Sequence, residues 1–282
     1  MNVRRVLKQQ GSHSAILAQI AEIERDMGGE VCLAARNLQT GRMLSYRADR
    51  MVMTASIIKL PILIHVALCV REGTASWQEP VALTAQEKVG GSGVLKVLSD
   101  GLVLSVRDLC TLMMVVSDNT ATNLIVERFG VEAINRRMRS LGLARTTINR
   151  KAFSREQPSL LSARYGFGVT TPLETLRLLT EIAEGRVGDS ATSADLLYFL
   201  QEQQYRDGIP RFLPADWKYA GKTGAIDSVR NDAGIVTAPD GRRYALALFC
   251  QKLRDTLWTP ENSGLVAIAR LSRLLIDALH GA

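Results

Sequence analysis

The chain has 282 residues, 46% of them hydrophobic, and a formal charge of +7, so it can bury a sizeable core as one domain or two closely packed lobes. Its basic residues are scattered, with small clusters only at Arg136-Arg137 with Arg139 and at Arg242-Arg243. No nucleic-acid-binding motif accompanies them, so a solvated basic surface is expected and no nucleic-acid partner.

Residues 1–10 carry positive charge, but no apolar segment of export-signal length follows. As it stands the sequence reads as cytoplasmic, and as periplasmic or secreted if its N-terminus is trimmed. Residues 12–27 read as an amphipathic helix with Ile16, Ile20 and Ile23 on one face. Two strands follow, 30–37 and 42–47, around the turn Gln39-Thr40-Gly41. Helical patterns then run from Ser56 to about residue 203, beginning with an apolar helix over 57–70 that Ser56 opens and broken by a loop over 149–169. Strand patterns return at 217–224, 232–237 and 244–250, with Pro239-Asp240-Gly241 turning between the last two. A helix over 261–279 closes the chain. No stretch reaches the length of a membrane span.

Strands at both ends around a helical middle predict an α+β fold. One five-stranded antiparallel sheet, flanked by the N- and C-terminal helices, is built from the two termini and faces an all-helical lobe across the active site. The expected division is one catalytic domain over 1–282, its sheet lobe formed by 1–50 with 210–282 and its helical lobe by 51–209.

Three fragments carry chemistry: Ser56-Ile57-Ile58-Lys59, Ser117-Asp118-Asn119 and Lys222-Thr223-Gly224. Each alone is weak, since a Ser-x-x-Lys arises by chance about once in a chain this long. Together, in this order, they describe an acyl-transfer site. A serine hydroxyl needs a base within reach, and Lys59 lies one helical turn from Ser56. Burial and a second cation, Lys222, would favour its neutral form. Ser117 can pass a proton to a leaving nitrogen, and the Asn119 amide can pair with a substrate amide. Asp118 can tie the connecting loop together. On a strand, Lys222 and Thr223 can hold a substrate carboxylate, and Gly224 leaves room for a substrate backbone. The Ala225 N–H would join that of Ser56 as an oxyanion donor. A phosphate-binding loop ending in Gly221-Lys222-Thr223 is excluded, because Asp216 stands where its first glycine is required.

These motifs make the chain resemble a class A β-lactamase-type serine hydrolase, of the β-lactamase and penicillin-binding protein superfamily, over nearly its whole length. Gly91-Ser92-Gly93-Val94-Leu95, Thr170-Thr171-Pro172 and Arg230-Asn231-Asp232 extend the likeness. The resemblance implies Ser56 as nucleophile, Lys59 as general base and Ser117 as proton shuttle. It also implies Asn119 on the substrate amide, Lys222 and Thr223 on its carboxylate, and Arg230 assisting them. No cofactor and no metal are implied. The substrate would be a small molecule, a β-lactam, a D-alanyl peptide or an ester, and the protein a monomer. Some members carry a disulfide for which Cys110 supplies one end, but Leu63 stands at the partner position. Cys32, Cys69, Cys110 and Cys250 are therefore expected as free thiols.

The chain departs from the family at the step that follows acylation. Class A enzymes carry a Glu-x-x-Leu-Asn motif whose glutamate activates the deacylating water. Here the loop reads Asn149-Arg150-Lys151-Ala152-Phe153-Ser154-Arg155-Glu156-Gln157-Pro158. Anchoring on Arg150 places Ala152 at the glutamate position. Glu156, the only acid between Arg150 and Thr170, is the remaining candidate for the base. Three functions stay open: a β-lactamase-like hydrolase with slow deacylation, a D-alanyl peptidase or esterase, and a non-catalytic binding module for β-lactams or peptidoglycan fragments.

Overall fold

The computed structural model describes residues 3–153, 157 and 159–280. Glu156 lies outside the described residues. The helices are α1 (Val3–Met27), α2 (Lys59–Arg71), α3 (Val106–Val115), α4 (Asn119–Phe129), α5 (Val131–Ser140), α6 (Leu160–Tyr165), α7 (Pro172–Ala183), α8 (Ser190–Gln201) and α9 (Ser263–His280). The main sheet is formed by β1 (Glu30–Asn37), β2 (Met43–Tyr46), β3 (Lys218–Ile226), β4 (Val229–Thr237) and β5 (Arg243–Gln251). It is antiparallel throughout, in the order β2-β1-β5-β4-β3. The α+β class and the five-stranded antiparallel sheet are those the sequence predicts.

Both faces of the central strands are covered, which explains their unbroken apolar runs. Side chains alternate across a strand. Val31, Leu33 and Ala35 of β1, with Tyr244, Leu246 and Leu248 of β5, face Ile16, Ile20 and Ile23 of α1 and Ile268, Leu271 and Leu275 of α9. Cys32 and Ala34, with Ala245, Ala247 and Phe249, face the opposite way into the core shared with α2, α3, α4 and α7. The terminal helices thus close one side of the sheet, and the helical middle of the chain packs against the other.

The expected all-helical lobe also holds a small ladder of Pro80–Ala82 with Val103–Ser105, and the expected loop over 149–169 holds α6 and the strand Gly168–Thr170. Two further expectations fail for identifiable reasons. The predicted helix over 57–70 splits into a 3₁₀ turn, Ala55–Ile58, followed by α2 from Lys59. Pro61 explains the boundary. A proline has no N–H, so it is tolerated in the first turn of an α-helix and not further inside. Ser56 therefore sits in the 3₁₀ turn, and Lys59 is the first residue of α2. The strand predicted at 232–237 begins instead at Val229, because β3 and β4 are joined by Asp227-Ser228 alone, with Ile226 paired to Val229.

A short ladder pairs Val52–Met53 with Gly168–Thr170, which also pairs Thr147–Ile148. It anchors the chain just before Ser56 and fixes both ends of the 149–167 loop. All four cysteines are buried and free. Burial pushes the Cys32 thiol up to about 11 and the Cys110 and Cys250 thiols higher still. Among the described residues no helix is long and apolar enough to cross a membrane.

Candidate active site

The three fragments converge between the edge strand β3 and the helical region. Ser117 has a φ of +56° and Ala55, just before Ser56, a φ of +43°. Non-glycine residues rarely adopt this left-handed conformation, and such strain concentrates at functional sites. Both lie at the turns that present the two serines.

Lys59 and Lys222 are completely buried. Lys59 Nζ lies 2.7 Å from Ser117 O, 3.1 Å from Ser117 Oγ and 2.9 Å from Asn119 Oδ1. Lys222 Nζ donates to the same Ser117 Oγ at 3.0 Å and to Thr223 O at 2.9 Å. The Ser117 hydroxyl thus bridges two buried amines. Burial first, then the neighbouring Lys222 cation, holds the Lys59 pKa well below the ordinary lysine value. Burial lowers Lys222 to about 7, while Asp232 pulls it the other way. A neutral Lys59 has two hydrogens for Ser117 O and Asn119 Oδ1 and a lone pair left for a hydroxyl proton. Ser56 is half-buried, and its Oγ makes no hydrogen bond among the described residues.

The Ser117-Asp118-Asn119 connection is braced by its middle member. Asp118 caps α4 by accepting from Ala121 N at 2.9 Å, and its other oxygen accepts from Val94 N at 2.6 Å and Leu95 N at 2.9 Å. A β-carbon at Gly93 would lie 2.2 Å from that carboxylate, at a φ of +104°, so only glycine fits there. Asn119 donates one amide hydrogen to Gly90 O at 3.1 Å, leaving the other for a ligand.

Gly224 lines the cavity with its neighbours and also meets the turn that carries Ser56. The space a β-carbon would fill is occupied by the turn carrying Ser56, with Thr54 O at 2.6 Å and the nitrogens of Ser56 and Ile57 at 3.0 Å. The glycine lets β3 seat against that turn, which puts the main chain of 224–225 beside the Ser56 N–H. Ala225 and Thr223 line the same cavity as Ser56 and Ser117, a space of about 300 Å³. Arg230 lines it too, although it is 2% exposed. Its Nη1 donates to the carbonyls of Ile226 at 2.6 Å and Val229 at 2.9 Å, and its Nη2 donates to Leu257 O at 2.7 Å. Its guanidinium lies 4.7 Å from the centre of the Trp258 ring.

Several supporting residues escaped the sequence reading. The Asn231 amide donates to Met53 O and Thr54 O and accepts from Gln251 Nε2, tying β4 and β5 to the chain before Ser56. The signal for Gln251 was an amide ending an otherwise apolar strand, and Asn231 stood in the Arg230-Asn231-Asp232 stretch with no sign of its bracing role. Asn123, one helical turn after Asn119, donates to Ala152 O and accepts from Ala152 N, both at 2.9 Å. That two-point grip fixes Ala152, whose methyl offers no base. Tyr205 and Trp258 also line the cavity. Among the described residues no three His, Cys, Asp or Glu side chains gather as a metal site.

The sequence model of the beta-lactamase enzyme family matches residues 15–279. A beta-lactamase of Streptomyces fradiae is 28% identical over 285 residues, covering 95% of this chain and 88% of that protein. The solved beta-lactamase of Sphaerobacter thermophilus is 31% identical with a TM-score of 0.84, covering 95% of this chain and 97% of the other. PBP-A, solved as a mutant acyl-enzyme complex with penicillin G, is 25% identical with a TM-score of 0.84, covering 97% of each chain.

Proposed function

The chain belongs to the beta-lactamase enzyme family and is a class A β-lactamase-like serine hydrolase, and from that premise we propose that it acylates quickly through Ser56 and deacylates slowly. The observation that carries this reading is the Ser117 hydroxyl bridging Lys59 and Lys222. Neutral Lys59 takes the Ser56 proton as Oγ attacks the substrate carbonyl. The N–H groups of Ser56 and Ala225 receive the developing oxyanion. Ser117 relays the proton to the leaving atom, Asn119 holds the substrate amide, and Lys222 with Thr223 holds the carboxylate. The substrate is a β-lactam or a related small amide or ester.

Among the described residues, no comparable group stands ready for deacylation. The residue held by Asn123 is Ala152, and general-base assistance is worth about 10² to 10⁴ in rate. The same observation favours a second reading, that of a D-alanyl peptidase or esterase that β-lactams trap. PBP-A, which is similar over nearly its whole length, has been captured as a penicillin G acyl-enzyme in mutant form. Peptide mapping of the protein treated with penicillin tests the acylation step. The adduct is expected on Ser56, and an adduct on Ser117, or none on folded protein, would refute the assignment.

A further inference from the structure

The cavity of the cleft extends mainly to one side of the reacting atoms. Asn119, Ala152 and Phe153 do not line the cavity; Ser92 touches it on their side, and from Ser117 it extends past Thr223 and Arg230 to Trp258. Ser117 is the group that protonates the departing atom in the function proposed above, on which this inference rests. Most of the cavity therefore lies on the leaving-group side.

Its far wall is aromatic and apolar, formed by Tyr205, Trp258, Pro260 and Leu265. Trp258 is 66% exposed, Leu257 beside it 65% and Tyr205 42%. Large apolar side chains grouped in water at a cleft mark a binding surface. The loop that carries Trp258 is also fixed in advance. Asp255 accepts from the N–H groups of Leu257 and Ser263, and Asn262 donates to the carbonyls of Asp255 and Leu257. Arg230 bonds Leu257 O and stacks on the Trp258 ring. Tyr205 is held separately, its hydroxyl donating to Val116 O at 3.3 Å, next to Ser117. Aromatic groups ordered before binding lose little entropy when a ligand arrives.

We propose that this pocket selects the leaving group, and that the substrates the enzyme prefers expel a large aromatic or apolar group bearing one carboxylate. The carboxylate meets Lys222 and Thr223, and the apolar part rests on Trp258 and Tyr205. Asp207, exposed on the same lining, disfavours a second negative charge. In the reaction Ser56 Oγ bonds to the carbonyl carbon as the bond to the leaving group breaks. The Ser56 proton reaches the departing atom through Lys59 and Ser117. A bare D-alanine or lactate leaves most of the aromatic wall uncovered.

The test compares two N-acylglycyl esters, one of D-lactate and one of D-phenyllactate, which share the ester bond and the carboxylate and differ by one phenyl group. Burying that ring should raise kcat/KM for acylation of the full-length protein by about tenfold or more. In Trp258→Ala the phenyllactate-to-lactate ratio should fall toward one, and Trp258→Phe should keep most of it. Penicillin adduct formation serves as the check that each variant is folded. Equal kcat/KM for the two esters, or a ratio that Trp258→Ala leaves unaltered, would overturn the pocket assignment while Ser56 acylation stands. Failure of both esters and of penicillin to label Ser56 would overturn the acyl-enzyme reading, and this proposal with it. If a Trp258→Ala sample takes no penicillin, the intact protein's ester ratio and that of Trp258→Phe decide alone.

Discussion

The two sides of the cleft are built to different standards. On the acylation side, two buried lysines, a strained serine and a braced Ser-Asp-Asn connection share one hydrogen-bond network. On the side of the 149–167 loop, an equally firm grip by Asn123 holds an alanine. There the main chain is held in place, and the residue held carries no base. The contrast separates two requirements that an efficient hydrolase must meet in one cleft, namely attack on the substrate and attack on the acyl-enzyme.

The largest way to break the contrast is to remove the acylation base. Lys59→Ala should slow adduct formation by about 10² to 10⁴ for neutral and anionic substrates alike, measured by mass spectrometry. A variant that acylates at the unaltered rate would mean that another group takes the Ser56 proton. The next largest change goes to the other side. Ala152→Glu should shorten the lifetime of the penicillin adduct by about tenfold or more by returning a base to a position already held by its main chain. Glu156→Gln should leave that lifetime nearly as it was. The opposite pair of results would make Glu156 the base.

Lys222 gives a smaller and more selective effect. A charge-assisted hydrogen bond is worth about 1.5–3 kcal/mol, so Lys222→Ala should lower kcat/KM for carboxylate-bearing substrates by about 10- to 100-fold and that for neutral esters by less. Its titration gives the sign of the pH dependence. Lys222 loses its proton as pH rises through about 7, so kcat/KM for anionic substrates should fall above that pH. Neutral esters do not need the cation, and Lys59, held lower by burial and by that cation, is already neutral there, so their rate should not fall with it. Parallel pH profiles for the two substrate types would contradict the division of roles. The smallest effect expected is at Gly224. A methyl group there must displace Thr54 O or the Ser56 nitrogen, which should cost about 1–3 kcal/mol in thermal or denaturant unfolding together with acylation rate. Unaltered stability and rate would show that the turn relaxes freely.

Much of this was legible in the sequence. The proposed reacting groups occupy three contiguous fragments, because a base one turn from its nucleophile and a shuttle on a short connection need only local geometry. The sheet was legible through its apolar runs and its terminal placement. Boundaries were lost where one residue overrules a pattern, as Pro61 does at α2, or where a hairpin such as Asp227-Ser228 lacks the usual glycine or asparagine. The second role of Gly224, its close contact with the turn before Ser56, was not legible because that backbone belongs to a segment 170 residues away in sequence. Tyr205, Trp258 and the brace of Asn231 with Gln251 act through loop or cross-strand contacts that leave no periodic trace.

The most direct test of the central claim is an intact-mass time course with penicillin in excess, followed after the free drug is removed. A full equivalent of adduct should form on Ser56 and then persist over many times its formation period, with little product released. Rapid steady-state hydrolysis with the protein returning promptly to its unmodified mass would contradict the account and show that a base on the loop side is in place.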